Sequence, residues 1–200
     1  MSISKALVFD IGDVLYGWEA PPLGTTNIPP KMLQAMIATP IWADHDIGKF
    51  NETACFAKLA EEFDRSPAEV DLAFAMIRDG LQLNKALADL LRSLKKNPNV
   101  QALYIMSNIS QELFTHLGTR DDGMDWNLFK ESFVSGEAGL RKPDAAFYTL
   151  VLQRIGLPAE NIFFVDDKAN NVDAARALGI QGVVYTSMEK LEHAIRDFLG

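Results

Sequence analysis

Lys5-Ala6-Leu7-Val8-Phe9-Asp10-Ile11-Gly12-Asp13-Val14-Leu15 is the stretch that decides the fold. Ala6–Phe9 is a short apolar run, and an aspartate ends it at once. A run of that kind reads as a strand buried on both faces of a parallel sheet. Open α/β sheets bind their ligands outside the carboxyl ends of such strands. Asp10 therefore marks both a fold and a place where chemistry is expected.

Working outward, four more apolar runs read as strands: Val100–Met106, Ser132–Val134, Asn161–Val165 and Gly182–Tyr185. Helical patterns separate most of them. Lys85–Lys96 puts Leu87, Leu90, Leu91 and Leu94 on one face, and Asp144–Ile155 does the same with Phe147, Leu150, Val151 and Ile155. Asn171–Leu178, closed by Gly179, and Glu189–Leu199 complete the set. Strands alternating with helices predict an α/β fold, a doubly wound parallel sheet with a Rossmann-like core and strand order 3-2-1-4-5.

The stretch from Tyr16 to Leu83 contains no convincing strand. It opens on a loop rich in proline and glycine (Pro21, Pro22, Gly24, Pro29, Pro30) and continues with helical patterns at Lys31–Ala38, Asn51–Phe63 and Ser66–Asp79. Asn51 is an N-cap. Ser66-Pro67-Ala68-Glu69 combines cap, first-position proline and capping-box glutamate. The expected organisation is an α/β core of residues 1–15 and 84–200, with an inserted helical cap over 16–83 standing above Asp10.

Composition bounds the function. The chain has 200 residues, 48% hydrophobic and 23% charged, with a formal net charge of −8. These values describe an ordinary globular chain. No Lys/Arg cluster marks a nucleic-acid or anionic-membrane surface, so neither is an expected partner. No uncharged run approaches the roughly 20 residues that cross a bilayer, and residues 1–9 lack the pattern of a signal peptide. Cys55 is the single cysteine and reads as a small core residue; the absence of any internal disulfide suits a cytoplasmic location. His45 and His116 have no metal-ligand spacing and read as surface residues; the alternative for His45 is that it reaches the site from the cap. Arg141 reads as a surface or salt-bridge residue.

Three further pieces fit Asp10: Ser107-Asn108 after the second run, Lys142 before Pro143, and Asp166-Asp167 after Phe163-Phe164-Val165. A carboxylate nucleophile can divide phosphate-ester hydrolysis into transfer to the enzyme and hydrolysis of an acyl phosphate. Gly12 permits the turn that aims backbone N–H groups at phosphate oxygens. Three carboxylates held close raise one another's pKa unless a cation lies among them, and an all-oxygen donor set beside a phosphate suits Mg²⁺. A fixed ammonium at Lys142 would offset charge on the phosphoryl oxygens. The Ser107 hydroxyl and the neighbouring backbone N–H would hold a phosphate oxygen at the start of the next helix.

This ordered set resembles the haloacid dehalogenase-like hydrolase superfamily. The motifs are Val8-Phe9-Asp10-Ile11-Gly12-Asp13-Val14-Leu15, Met106-Ser107-Asn108, Ser135–Asp144 and Phe163-Phe164-Val165-Asp166-Asp167. Its phosphatase branch with a small helical cap is the nearer likeness, and bacterial glucose-1-phosphatase-type sugar-phosphate phosphatases share the opening Phe-Asp-x-Gly-x-Val. The resemblance implies an aspartyl-phosphate mechanism. Asp10 is then the nucleophile, with Lys142 as its catalytic partner. Asp10, Asp166, Asp167 and the Gly12 carbonyl are the metal ligands, and Ser107, Asn108, Lys142 and Gly12 bind substrate. The expected substrate is a small phosphorylated metabolite, sugar phosphates included.

The chain departs from that pattern at one position. Most phosphatases of the superfamily carry a second aspartate two residues after the nucleophile, as general acid. Gly12 stands there, and Asp13, one residue on, is expected to point elsewhere. Two rival readings follow: a metal-free 2-haloacid dehalogenase, against which the acidic pair argues, and a degenerate relative that binds a ligand or protein.

Overall fold

The computed structural model describes residues 4–18 and 26–200. Its centre is a five-stranded, all-parallel sheet built from β1 (Lys5–Phe9), β4 (Val100–Ser107), β5 (Phe129–Val134), β6 (Ile162–Asp166) and β7 (Gln181–Val184). The spatial order is β5-β4-β1-β6-β7, which is 3-2-1-4-5 among these five strands. β1 lies in the middle, and the chain reverses its winding there. That reversal makes the crevice at its carboxyl end, and Asp10 occupies it.

Alternation along β1 sorts the sheet into two faces. Leu7 and Phe9 pack into one core with Leu87 and Leu91 of α5 (Lys85–Leu94) and with Leu191 and Ile195 of α10 (Met188–Leu199). Ala6 and Val8 pack into the other with Phe147 and Val151 of α8 (Ala145–Ile155) and with Val172 of α9 (Ala169–Ala177). Both faces are covered, so the strands are apolar on both sides.

Among the described residues, four helices lie between β1 and α5: α1 (Pro30–Ile37), α2 (Pro40–Asp46), α3 (Glu52–Glu62) and α4 (Pro67–Asp79). They build a third core of their own around Leu33, Met36, Leu59, Val70 and Phe74. The Asn51 cap accepts from the Ala54 N–H, and the Ser66–Glu69 capping box is complete in both directions. Pro21, Pro22 and Gly24 of the expected loop lie outside the described residues; Pro29 and Pro30 open α1.

The structure corrects several expectations. Two short strands, β2 (Tyr16–Gly17) and β3 (Gln82–Leu83), pair antiparallel where none was read. A two-residue run is too short to show periodicity. Helix α2 also escaped; its signals are the Thr39 cap and Pro40 at the first turn. β5 starts at Phe129, earlier than Ser132, because an edge strand tolerates an exposed Lys130 and a half-buried Glu131. His45 is 3% exposed, with Nδ1 3.1 Å from the Phe50 carbonyl oxygen, so it is a buried residue of the helical insertion. His116 is half-buried in α6 (Gln111–Gly118). Cys55 is fully buried, and burial pushes its thiol up to about 12. Among the described residues no helix is long and apolar enough to cross a membrane.

Candidate active site

The carboxyl ends of β1, β4 and β6 meet at Asp10, Ser107 and Asp166. The Asp10 N–H donates to the Val165 carbonyl at 2.9 Å, so the β1–β6 ladder runs on to the aspartate itself. Its side chain is fixed as well: Oδ1 accepts the Ile11 N–H at 2.7 Å and lies 2.9 Å from Lys142 Nζ. The Ser107 hydroxyl favours the ionised form of the Asp10 carboxyl.

Lys142 is 2% exposed. Its ammonium is spent on three oxygens: Asp10 Oδ1, Asp166 Oδ2 at 2.6 Å and the Met106 carbonyl at 3.0 Å. A buried ammonium is tolerated only with such partners. Asp166 Oδ1 accepts from the Lys168 backbone N–H at 2.8 Å and from Asn171 Nδ2 at 2.9 Å. Sequence reading missed Asn171, whose signal is its place in the first turn of the helix after the acidic pair. Arg141 forms a salt bridge with Asp46 at 3.7 Å.

Asn108 is close to the site, but its side chain is engaged. Nδ2 donates to the Lys142 carbonyl and Oδ1 accepts the Lys142 N–H, both at 2.8 Å. The expectation that Asn108 contacts substrate is thereby narrowed to its backbone.

The turn after Asp10 also differs from expectation. Gly12 does not adopt the left-handed region; Asp13 does, with φ of 55°. Aspartate is among the residues that tolerate this conformation. A Cβ built on Gly12 meets nothing within 4 Å. Asp13 is exposed at the edge of the same cavity that Asp10 lines.

Asp10, Asp166 and Asp167 each bring a carboxylate oxygen within 4.8 Å of the others. Burial raises the Asp10 pKa; Lys142 opposes the shift and Asp166 adds to it. Burial likewise pushes Asp167 up to about 6, with Asp10, Asp166 and Asp13 adding to the rise against Lys168. Asp167 Oδ1 is buried without a hydrogen-bond partner. Crowded acids, an orphaned oxygen and a donor set of oxygens alone fit a hard divalent cation such as Mg²⁺.

Above these groups lies a cavity of about 220 Å³. Asp10, Ser107 and Lys142 line one side, and Ile37, Trp42, Phe74 and Ile77 of the insertion line another. Trp42 stacks on Phe74 with centroids 4.7 Å apart, and Phe56 backs Phe74 at 5.1 Å. Trp18, Ile109 and Leu113 add to the wall. The end at Asp10 and Lys142 is charged, and most of the rest is apolar, Glu52 and Arg78 apart.

The sequence profile of the family described as haloacid dehalogenase-like hydrolase matches residues 4–179. The chain is a haloacid dehalogenase-like hydrolase. Its curated relatives include the drimenol cyclase of Aspergillus calidoustus, 36% identical over 98% of this chain and 37% of that protein. They also include the sesquiterpene phosphatase of Aspergillus oryzae, 33% identical over 98% of this chain and 97% of that protein. The chain thus spans about a third of the first relative and nearly all of the second. Among solved structures, a haloacid dehalogenase family enzyme of Bacteroides thetaiotaomicron in complex with magnesium and inorganic phosphate has the same fold. The TM-score is 0.72 at 18% identity, over 94% of this chain and 98% of that one.

Proposed function

We propose that this hydrolase is a Mg²⁺-dependent phosphatase acting on the phosphate monoester of an apolar alcohol of the isoprenoid class. One observation carries the proposal: Asp10, with Asp166 and Asp167 grouped beside it, and Lys142 stand at the charged end of a cavity whose other walls are mainly aromatic and aliphatic. The sesquiterpene phosphatase relative, matched over nearly its whole length, supports the same substrate class. A sugar phosphate fits less well, because its hydroxyls would be stripped of water against Trp42, Phe74 and Ile77 without matching partners.

Asp10 attacks phosphorus. The bond to the ester oxygen breaks, the leaving oxygen takes a proton from water and departs as the alcohol, and the phosphoryl group stays on the Asp10 carboxylate as an acyl phosphate. Water then attacks that phosphorus, and phosphate departs as Asp10 is restored. Asp10, Asp166, Asp167 and the Gly12 carbonyl would hold Mg²⁺, which when bound supplies charge stabilisation to the phosphoryl oxygens. Lys142 offsets charge on Asp10 and on those oxygens. The Ser107 hydroxyl and the Asn108 backbone N–H hold a phosphoryl oxygen. Gly12, where most relatives have a general acid, leaves departure of the alcohol less assisted. Residues 16–83 act as a cap, and residues 1–15 and 84–200 as the hydrolase core. A cytoplasmic location belongs to the same proposal, on the ground of the single, buried Cys55.

Turnover of farnesyl phosphate and of glucose 1-phosphate, each with Mg²⁺ and with EDTA, tests the proposal. The expected result is hydrolysis of the terpenyl ester only with Mg²⁺, at least about tenfold faster than the sugar ester. Unchanged turnover in chelator would overturn the metal assignment, and a preference for the sugar ester would overturn the substrate class.

A further inference from the structure

The helical insertion rests on the core through the end of α2, which meets α7 (Ser135–Ala138), the short helix after β5. Ser135 stands at that contact and is fully buried. Its hydroxyl accepts the Ile109 N–H at 2.8 Å and donates its single proton to the Asp46 backbone carbonyl at 2.6 Å. The Ile109 carbonyl, at 3.2 Å, is the longer alternative and already accepts the Gly136 N–H at 3.1 Å. Backbone meets backbone beside the hydroxyl. Gly48, in the turn after α2, has φ of 74°, and a Cβ there would stand 2.6 Å from the Gly136 carbonyl oxygen. A Cβ on Gly136 would in turn stand 2.5 Å from the Gln111 backbone nitrogen. Both positions need glycine because the chains approach too closely for a side chain.

This contact joins the two sides of the apolar cavity. Trp42, on α2, lines it from the insertion, one turn before Asp46, and its stack on Phe74 carries the wall onto α4. Ile109 and Leu113, at the end of β4 and on α6, line it from the core. The Ser135 hydroxyl holds the backbone of Asp46 with one hydrogen bond and the backbone of Ile109 with another. A single buried group therefore ties the helix of one wall to the chain of the other.

Resting on the phosphatase proposal, we infer that Ser135, with Gly48 and Gly136, sets the spacing between the insertion side and the core side of the cavity, and with it the grip on the hydrocarbon part of the substrate. Ser135 is a positioning residue: at 0% exposure it touches no substrate. Its removal leaves the Asp46 carbonyl and the Ile109 N–H without their shared partner, and buried groups of that kind seek water or a new position. Dispersion attraction falls steeply with distance, a gap of about 0.5–1 Å forfeiting a quarter to a half of it. A long chain that touches both walls loses contact when they part. A small ester, held by its phosphoryl group at Asp10 and Lys142, does not span them.

The test measures kcat and KM for ethyl phosphate and decyl phosphate on wild type, Ser135→Ala and Gly48→Ala. Gly48→Ala alters the contact from the insertion side while the Ser135 hydroxyl stays, and it carries the comparison if Ser135→Ala does not fold. The expected result is a KM for the decyl ester raised about tenfold, with kcat/KM for the ethyl ester within about twofold of wild type. Amide hydrogen exchange should quicken over α2 in both variants. Decyl phosphate and inorganic phosphate are also titrated by calorimetry into the inactive Asp10→Asn protein, with and without each second substitution. Decyl phosphate should bind more weakly in the double variants, and inorganic phosphate equally well. Absence of turnover on every ester would defeat the phosphatase proposal, and the calorimetric comparison would still decide the role of Ser135. An equal loss on short and long esters, or decyl phosphate bound as tightly as before, would overturn the inference.

Discussion

Asn108 and Lys142 are joined by two hydrogen bonds of 2.8 Å that run in opposite directions, from the Asn108 amide to the Lys142 carbonyl and from the Lys142 N–H to the Asn108 carbonyl oxygen. The residue that follows the end of β4 thereby sets the backbone from which the Lys142 ammonium reaches Asp10 and Asp166. Asn108 is a positioning residue through its side chain.

Asn108→Ala should therefore lower kcat by about 10- to 100-fold, since small misplacements of a catalytic group are expensive in rate. The loss of two hydrogen bonds should cost about 1–3 kcal/mol of stability. Urea unfolding and steady-state kinetics on the same protein separate the two. An unchanged kcat would show that Lys142 needs no such support.

Asp10→Asn should abolish turnover and leave the fold intact. The amide has nearly the same shape but is a poor nucleophile. A beryllium fluoride adduct, detected by fluorine NMR with Mg²⁺, should form on wild type and not on the variant. Residual activity near wild type would make Asp10 structural.

Gly12→Asp tests the missing general acid. The backbone at Gly12 is not left-handed, and a Cβ there meets open space, so the variant should fold with a stability close to that of wild type. If alcohol departure is unassisted, wild type should hydrolyse p-nitrophenyl phosphate orders of magnitude faster than an alkyl phosphate. The added carboxyl should narrow that gap, since general acid help is worth roughly 10² to 10⁴. A flat leaving-group dependence in both proteins would point to another acid.

Asp46 gives a prediction about pH. Burial pushes its carboxyl up to about 6 from 3.8, against the lowering influence of Arg141, His45 and Lys168. Its ionised form is thus disfavoured in the folded state. The stability it contributes is fully present below about pH 4 and is lost as pH rises through about 6, to a total of about 1–3 kcal/mol. Asp46→Asn cannot titrate. Its stability relative to wild type should rise by that amount between pH 4 and pH 7 in chemical denaturation. A constant difference would mean that Asp46 titrates normally.

Much of the fold was legible because the five apolar runs and the leucine-rich helix faces carry periodicity, and a buried parallel sheet allows few strand orders. The ends of β1, β4 and β6 were legible for the same reason: a polar residue closing an apolar run marks where a strand meets the crevice. Residues that act through geometry were not legible. Nothing in Asn108 tells its backbone role from its amide role until the Lys142 loop is seen beside it. Gly12 invites a reading as the left-handed residue of its turn, whereas Asp13 takes that conformation. Trp42, Phe74 and Arg78 lie on helices whose sequence periodicity speaks only of burial, and the direction they face depends on how those helices rest above the sheet.

The pairing of Tyr16 with Leu83 and of Gly17 with Gln82 has a consequence for how such proteins diversify. The Asn84 N–H donates to the Leu15 carbonyl at 2.9 Å, so departing and returning chain are already side by side at the edge of the hydrolytic machinery. Everything threaded between them is, for the core, the loop of a hairpin, and loop length changes closure entropy only slowly. A gene could exchange that segment for one of another length or lining, and the nucleophile would keep its surroundings. On the proposed reading, selectivity would be heritable as a cassette, separate from the chemistry it serves.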